Sequence, residues 1–360
     1  MRIACLQYNP QLGTVEANIA RVNELLDDYK EDVVDLDLLV LPELALTGMQ
    51  TGYNFPSLTA ITPHLEPTVS SLTTAWAKAT AARLKCLVSV GYPEQTNEPA
   101  PPLTPLNAST TANYNSTVTV SPAGDVLAHY RKTHLYYTDE TWAHESPTGW
   151  LTTDLPLPAH PLMVVVDHAS GTLSSVPDPG SASAYASTST VGPSTSTTTS
   201  APGVKTAFGI CMDLNPHRFA SPWSAYEFSS RALATCATLL ILSMAWTTSV
   251  PADAELWSPS LRHEPDMDTL GYWIERLRPV IGADDGVERL VVIANRTGRE
   301  GDVGYVGSSV VMGVGGWVVK IWGILGRGEE KVLVIDTEEE AKWRVRLKAR
   351  EEEGFNNDED

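Results

Sequence analysis

Cysteine is scarce in this chain of 360 residues, with Cys5, Cys86, Cys211 and Cys236 the only four. No two of them have the close spacing of a zinc or thiol-redox motif. That excludes a disulfide-stapled scaffold and points to a reducing compartment. Cys5, Cys86 and Cys236 lie in or beside apolar runs and are expected to be buried thiols. Positive charge is short as well. The 25 Lys and Arg face 44 Asp and Glu, a formal net charge of -19, which disfavours nucleic acid and anionic membranes as partners. Long apolar runs are missing: nothing approaches the roughly 18 apolar residues of a membrane span. The opening MRIACLQYNP also lacks the apolar length of a secretory signal. The expectation is a soluble, cytoplasmic protein, with nothing in the sequence that separates the cytoplasm from the nucleus or mitochondrion.

What is present is a large apolar complement, 42% of the residues, enough for one large α/β domain or two smaller ones. Residues 3–7 and 38–41 read as apolar strands, and between them a segment from Thr14 sets Val15, Ile19, Val22 and Leu25 or Leu26 at helical spacing. Strand, helix, strand with continuously apolar strands predicts a sheet buried on both faces. A helix over 69–84, a strand over 87–90 and a hairpin over 115–120 and 126–130 follow, its turn carrying Gly124 and Asp125. Further strands are predicted over 162–166, 204–210, 239–243, 290–294, 308–312, 317–322 and 331–335, and helices over 223–236 and 269–281. Residues 94–112 are rich in Pro and Thr and read as an excursion loop. Residues 168–203, dominated by Ser, Thr, Pro, Gly and Ala, read as an insertion too poor in large apolar groups to order itself. The predicted organisation is one domain over 1–337 followed by an acidic segment, 338–360, read as a solvated tail.

Three reactive side chains stand at strand ends. Cys211 follows the apolar strand 204–210 at a turn carrying Asn215-Pro216, the arrangement that lifts a nucleophile out of a sheet edge. Glu43 ends the strand 38–41, and Lys132 ends the second strand of the hairpin. Singly, each has a plainer reading: a small buried thiol, a surface carboxylate, a solvated amine. Together they compose an acyl-transfer site. Cys211 attacks an amide carbon, Glu43 moves the proton from thiol to leaving ammonia, and Lys132 with the Met212 N–H stabilises the oxyanion. Glu140, eight residues beyond Lys132, is the candidate brace for the amine, with Glu145 a second nearby carboxylate. His134, His144 and His217 lack metal-ligand spacing and read as surface or supporting groups. No metal or cofactor is called for.

The segments Leu41-Pro42-Glu43-Leu44-Ala45-Leu46-Thr47-Gly48, Tyr130-Arg131-Lys132-Thr133-His134-Leu135 and Gly209-Ile210-Cys211-Met212-Asp213 resemble, in order, the Glu, Lys and Cys signatures of the nitrilase (carbon-nitrogen hydrolase) superfamily. Cys211-Met212-Asp213-Leu214-Asn215-Pro216, the stretch from Lys132 to Glu140, and Met244-Ala245-Trp246 are similar to the branch of fungal-type protein N-terminal amidases. The resemblance implies a four-layer α-β-β-α sandwich with Glu43 as base, Lys132 as oxyanion stabiliser, Cys211 as nucleophile and Glu140 as a supporting second glutamate. It implies as substrates polypeptides beginning with Asn or Gln, deamidated ahead of N-degron-dependent degradation, and it allows a homodimer through the sheet-flanking helices. Met212, Asp213, Asn215 and Trp246 are the candidate substrate contacts, Asp213 being equally suited to cap the following helix. Two other readings stand beside this one. The first is an omega-amidase, carbamoylase or nitrilase acting on a small metabolite, whose carboxylate Arg218, Arg296 or Arg299 would hold; the second is a non-catalytic scaffold.

Overall fold

The computed structural model describes residues 1–29, 34–48, 55–98, 111–159, 203–248, 261–300 and 303–349. The first half of the chain supplies β1 (Arg2–Gln7), α1 (Val15–Asp28), β2 (Leu38–Val40), α2 (Leu58–Ile61), β3 (Glu66–Pro67) and α3 (Leu72–Leu84). It continues through β4 (Leu87–Thr96), β5 (Ala112–Val120), β6 (Val126–Arg131) and β7 (Thr152–Leu155). The second half supplies β8 (Val204–Ile210), α4 (Glu227–Ala234), β9 (Leu239–Met244), α5 (Met267–Arg276) and α6 (Arg278–Ile281). After these come β10 (Arg289–Asn295), β11 (Thr297–Glu300), β12 (Val303–Val306), β13 (Val310–Gly315), β14 (Val318–Ile324), β15 (Lys331–Asp336) and β16 (Trp343–Arg346).

The strands form two large mixed sheets, and period-two alternation explains how they stack. One runs β15-β1-β2-β4-β5-β6 with β3 alongside β4; the other runs β16-β14-β13-β10-β9-β8-β7. Along β1 and β2, Ile3, Cys5, Leu38 and Val40 face a core shared with Phe208, Ile210, Leu239, Ile241, Leu290 and Val292 of the other sheet. Their neighbours Ala4, Leu6, Leu39 and Leu41 face the opposite way, onto Val22, Leu25 and Leu26 of α1 and Trp76 and Ala77 of α3. Leu240, Leu242, Val291 and Ile293 likewise face Phe228, Leu270, Trp273 and Val280 of α4, α5 and α6. Each such aliphatic side chain contributes about 1.5–3 kcal/mol on burial. Both faces of both sheets are thus apolar, and the result is the four-layer α-β-β-α sandwich that the motifs implied.

The parallel strands β2, β8 and β9 end at one rim, where the two sheets are tied across their gap. The Glu43 N–H donates to the Met244 carbonyl at 3.3 Å, and the Ser243 hydroxyl donates to the Leu41 carbonyl at 2.9 Å. Backbone also crowds backbone there: a Cβ at Gly91, in β4, would stand 2.7 Å from the Leu44 nitrogen and 2.9 Å from the Pro42 oxygen.

Several elements depart from the expectation. β7 is a polar strand, Thr-Thr-Asp-Leu, recruited by antiparallel pairing with β8 rather than by its own apolar pattern. The helix expected over 223–236 starts only at Glu227, after Tyr226 takes a left-handed backbone. The one expected over 269–281 breaks in two, with Pro279 in the first turn of α6. Cys236 is exposed rather than buried, in the turn that follows α4. β11 and β12 form a ribbon where no strand was expected. The acidic tail is not wholly a tail, because Trp343–Arg346 pair antiparallel with β14 through backbone hydrogen bonds. Glu94, Gln95 and Thr96 extend β4, while 99–110 and the strand expected over 162–166 lie outside the described residues, as does the 168–203 insertion except for Gly203.

Gly91→Ala should cost about 1–3 kcal/mol, because the added methyl meets main chain that cannot rotate away. A denaturant midpoint equal to the parent's would show that β4 and the 42–44 segment are not in the contact described.

Candidate active site

Glu43, Lys132 and Cys211 line one cavity of about 490 Å³ at the shared rim. Each arrives by a different route. Glu43 follows β2 in a turn whose next residue, Leu44, has a left-handed backbone (φ 46°). Lys132 follows β6, its N–H donating to the Asn115 carbonyl at 2.8 Å. Cys211 follows β8 with φ of 40°, a left-handed backbone that costs a non-glycine residue of the order of 1–3 kcal/mol. That strain points the thiol away from the strand direction, as a nucleophile elbow does.

One carboxylate holds the elbow against the lysine segment. Asp213 is wholly buried; its Oδ2 accepts from the Ile210 N–H and the Tyr130 hydroxyl, both at 2.7 Å. Its Oδ1 accepts from the Thr133 N–H at 3.0 Å and the His134 N–H at 2.7 Å. Burial pushes this carboxyl above its ordinary range, with His134 and the hydrogen bonds from Ile210 and Tyr130 opposing. Asp213 does not line the cavity, and instead of capping the helix that follows, it accepts from the residue at the start of its own short 3-10 turn, Ile210.

The lysine is held by two carboxylates. Its Nζ lies 2.7 Å from Glu43 Oε1 and 2.6 Å from Asp139 Oδ2, with all three side chains 1% exposed or less. Asn115 Nδ2 donates to the same Glu43 Oε1 at 2.6 Å, so that oxygen carries two donors. Glu43 Oε2 makes no hydrogen bond among the described residues and is the oxygen left to take a proton. The brace is Asp139, not Glu140. Both sit in a short 3-10 turn, Asp139–Thr141, and its phase sends the first carboxylate inward and the second outward. Glu140 is paired with the exposed Arg218 at 3.2 Å. Spacing from Lys132 cannot separate neighbours whose side chains diverge by about 120° around a 3-10 turn.

The electrostatics follow from burial. Cys211 is pushed well above the ordinary thiol value by burial first and then by the Glu43 charge, with Lys132 and the Ala245 N–H opposing. Glu43 is raised by burial, opposed by Lys132 and reinforced by the Asp139 charge. For Lys132, burial alone would lower the value; the Asp139 and Glu43 charges overcome it and keep the amine protonated. Two negative partners thus offset the lysine's charge, and the direction of the Cys211 shift is toward the protonated thiol, whose proton Glu43 is placed to take.

Met212, Asn215 and Trp246, three of the candidate substrate contacts, line the cavity, and the backbone N–H of Met212 follows the nucleophile directly. Residues that sequence reasoning missed join them: Tyr136 and Phe219 at one side, Thr247 and Thr248 after β9, Asp266 capping α5, Asp268, Thr269 and Tyr272 on α5, and Tyr305 on β12. Tyr305 comes from the unexpected ribbon, and α5 gave only its apolar face as a signal. His134 and His144 are buried and His217 is partly so; His134 Nδ1 meets the Asn215 carbonyl at 3.1 Å and His217 Nε2 meets Glu145 at 2.8 Å. Among the described residues no group of three or more His, Cys, Asp or Glu is placed to hold a metal ion.

Residues 2–213 match the family described as carbon-nitrogen hydrolase. The chain is 28% identical over 351 residues to the protein N-terminal amidase of Schizosaccharomyces pombe, an alignment covering 94% of this chain and 100% of that one. It is 29% identical over 252 residues to the protein N-terminal amidase of Saccharomyces cerevisiae, covering 69% of this chain and 45% of that longer one. A crystal structure of an N-terminal amidase with an Asn-Glu-Ala peptide superposes with a TM-score of 0.68 at 21% identity, covering 96% of this chain and 99% of the other. At that identity the likeness establishes the fold.

Alkylation of Cys211 reads this network directly, with the exposed Cys236 as an internal reference in the peptide map. Lys132→Met should slow Cys211 alkylation at a given pH by removing the cation that favours its thiolate. Asp139→Asn should accelerate it, and Glu140→Gln should leave it within about twofold, as for a surface pair. A Glu140→Gln effect matching that of Asp139→Asn would return the brace to Glu140.

Proposed function

The chain belongs to the carbon-nitrogen hydrolase family, and from that premise we propose that it is a protein N-terminal amidase. In this reading it hydrolyses the side-chain amide of a polypeptide's N-terminal Asn or Gln to Asp or Glu and releases ammonia. The observation that carries it is the convergence of Glu43, Lys132 and Cys211 in one cavity, in a chain aligned along its length with an N-terminal amidase.

The geometry supports the following sequence. Cys211 Sγ attacks the amide carbon as Glu43 Oε2 takes the thiol proton. The carbonyl oxygen gains negative charge beside Lys132 Nζ and the Met212 N–H. Glu43 passes the proton to the amide nitrogen, the carbon–nitrogen bond breaks, and ammonia leaves a thioester. Water then attacks the thioester as Glu43 accepts its proton, and the acid departs with the thiol restored. Burial raises both groups: it makes Glu43 a stronger base than an ordinary carboxylate, while the thiol holds its proton until that base takes it.

The small-metabolite reading needs a basic residue for the substrate's carboxylate, and the described cavity wall holds no arginine. Arg296 is buried behind Tyr305, its guanidinium 3.9 Å from the ring centroid. Arg218 pairs with Glu140 and Glu145, and the exposed Arg299 does not line the cavity. The wall instead carries Asp266 and Asp268, a lining suited to a free α-ammonium. The cytoplasm and an N-degron route for the product complete the proposal; no described helix is long and apolar enough to cross a membrane.

Peptides varied only in their first residue, read by mass change and ammonia release, test the proposal. Asn and Gln peptides should gain about 1 Da, free asparagine amide should be a poor substrate, and Cys211→Ala should lower turnover by at least about 10³-fold. Release from small free amides alone would favour the metabolite reading.

The pH profile gives an independent check. Glu43 must be ionised to act, and its raised value places the acid limb of kcat/KM above the ordinary carboxylate range. The Asn115 hydrogen bond favours the ionised form, so Asn115→Ala should move that limb to higher pH. Asp139 disfavours the ionised form, so Asp139→Asn should move it lower while slowing turnover. Limbs that stay in place in both variants would remove Glu43 as the titrating base.

A further inference from the structure

If the amide carbon of an N-terminal Asn or Gln reaches Cys211, its α-ammonium lies only two or three carbons away and must sit in the same cavity. We infer that Asp268 is the residue that binds this ammonium and so decides for a free N-terminus; the inference rests on the N-terminal amidase reading and adds the residue that confers it.

Three carboxylates line the described wall, and two are already engaged. Glu43 holds Lys132 and Asn115 through one oxygen and exchanges protons through the other. Asp266 begins α5: its Oδ1 accepts from the Thr269 N–H at 2.8 Å, and its Oδ2 stands 3.9 Å from Arg327 Nη1. Asp268 makes no hydrogen bond or ion pair among the described residues and is exposed at the cavity wall. Its place in the first turn of α5 supplies an ordinary structural role, favouring a negative charge at a helix start. That role does not require it to line the cavity.

The helix connects Asp268 to the elbow. Asp268 and Tyr272 are four residues apart and share a helix face, their Cβ atoms about 5–6 Å apart. The Tyr272 hydroxyl donates to Asn215 Oδ1 at 2.5 Å, and Asn215 is in the turn that carries Cys211. Tyr272 also rests against Trp246, with ring centroids 5.3 Å apart, and Trp246 lines the cavity. A primary ammonium set between the Asp268 carboxylate and these π faces gains a charge-assisted hydrogen bond and a cation–π contact together. An acetylated terminus gains neither.

The test compares wild type, Asp268→Asn, Asp268→Ser and Asp268→Glu, each as the full chain, on Asn- and Gln-leading peptides with free or acetylated N-termini. Loss of the charge should raise KM for free-terminus peptides about 10–100-fold with kcat within about threefold. The preference for free over acetylated peptide should collapse, and Asp268→Glu should restore most of it. Thermal midpoints measured alongside separate the helix-start role, which would shift the midpoint and leave that preference intact. An unchanged preference in both the Asn and Ser variants overturns the assignment while the amidase reading stands. Absence of ammonia release by wild type from every Asn or Gln peptide overturns both.

Discussion

The buried ammonium of Lys132 is the constraint on which the site depends. A charge with no water around it is tolerable only when partners surround it, and removing one partner of a buried pair typically costs about 3–5 kcal/mol. Here the partners come from three separate places: Glu43 after β2, Asp139 in the turn beyond β6, and Asn115 in β5 bridging to Glu43. The ion cluster therefore locks the relative positions of segments far apart in sequence. It also fixes which Glu43 oxygen is free, because Oε1 is occupied by two donors.

A second lock sets the nucleophile against this cluster. Asp213 joins the residue before Cys211 to the two residues after Lys132 and to Tyr130. A strained elbow survives only if its surroundings over-determine it, and four donors on one buried carboxylate do so. The Ser243 to Leu41 and Glu43 to Met244 hydrogen bonds complete the frame by closing the gap between the sheets at the same rim. The three reactive groups are thus held by main chain, by one another, and by Asp139, Asn115 and Asp213, none of which lines the cavity.

These two locks explain what was readable in the sequence and what was not. The sandwich was legible because Leu38–Val40, Leu239–Met244 and Arg289–Asn295 are apolar on both faces, a pattern needing only burial to be understood. Glu43 and Cys211 were legible because each follows a buried apolar strand, and Lys132 because it ends the second strand of a hairpin. Asp139 was hidden by its neighbour Glu140, since only the phase of a single short turn tells the inward carboxylate from the outward one. β7 and β16 were hidden because edge strands are recruited by backbone pairing and need no apolar pattern. Asp268 and Tyr305 were hidden because a cavity wall is assembled by packing, and neither residue stands at a strand end that would mark it.

The same cluster that preserves the fold restrains the chemistry. Burial and the Glu43 charge push the Cys211 thiol up, and Lys132, balanced by two carboxylates, does not overcome them. A permanently ionised thiolate would react with any electrophile or oxidant entering the cavity. A thiol that gives up its proton only to Glu43, as an amide carbon comes within reach, confines reactivity to the occupied site. Lys132 then has a new claimant: as the carbonyl oxygen becomes negative and Glu43 takes up a proton, one carboxylate charge disappears and an oxyanion charge replaces it. The ammonium keeps two negative neighbours throughout, so the interaction that stabilises the resting protein is exchanged, rather than lost, on the way to the transition state.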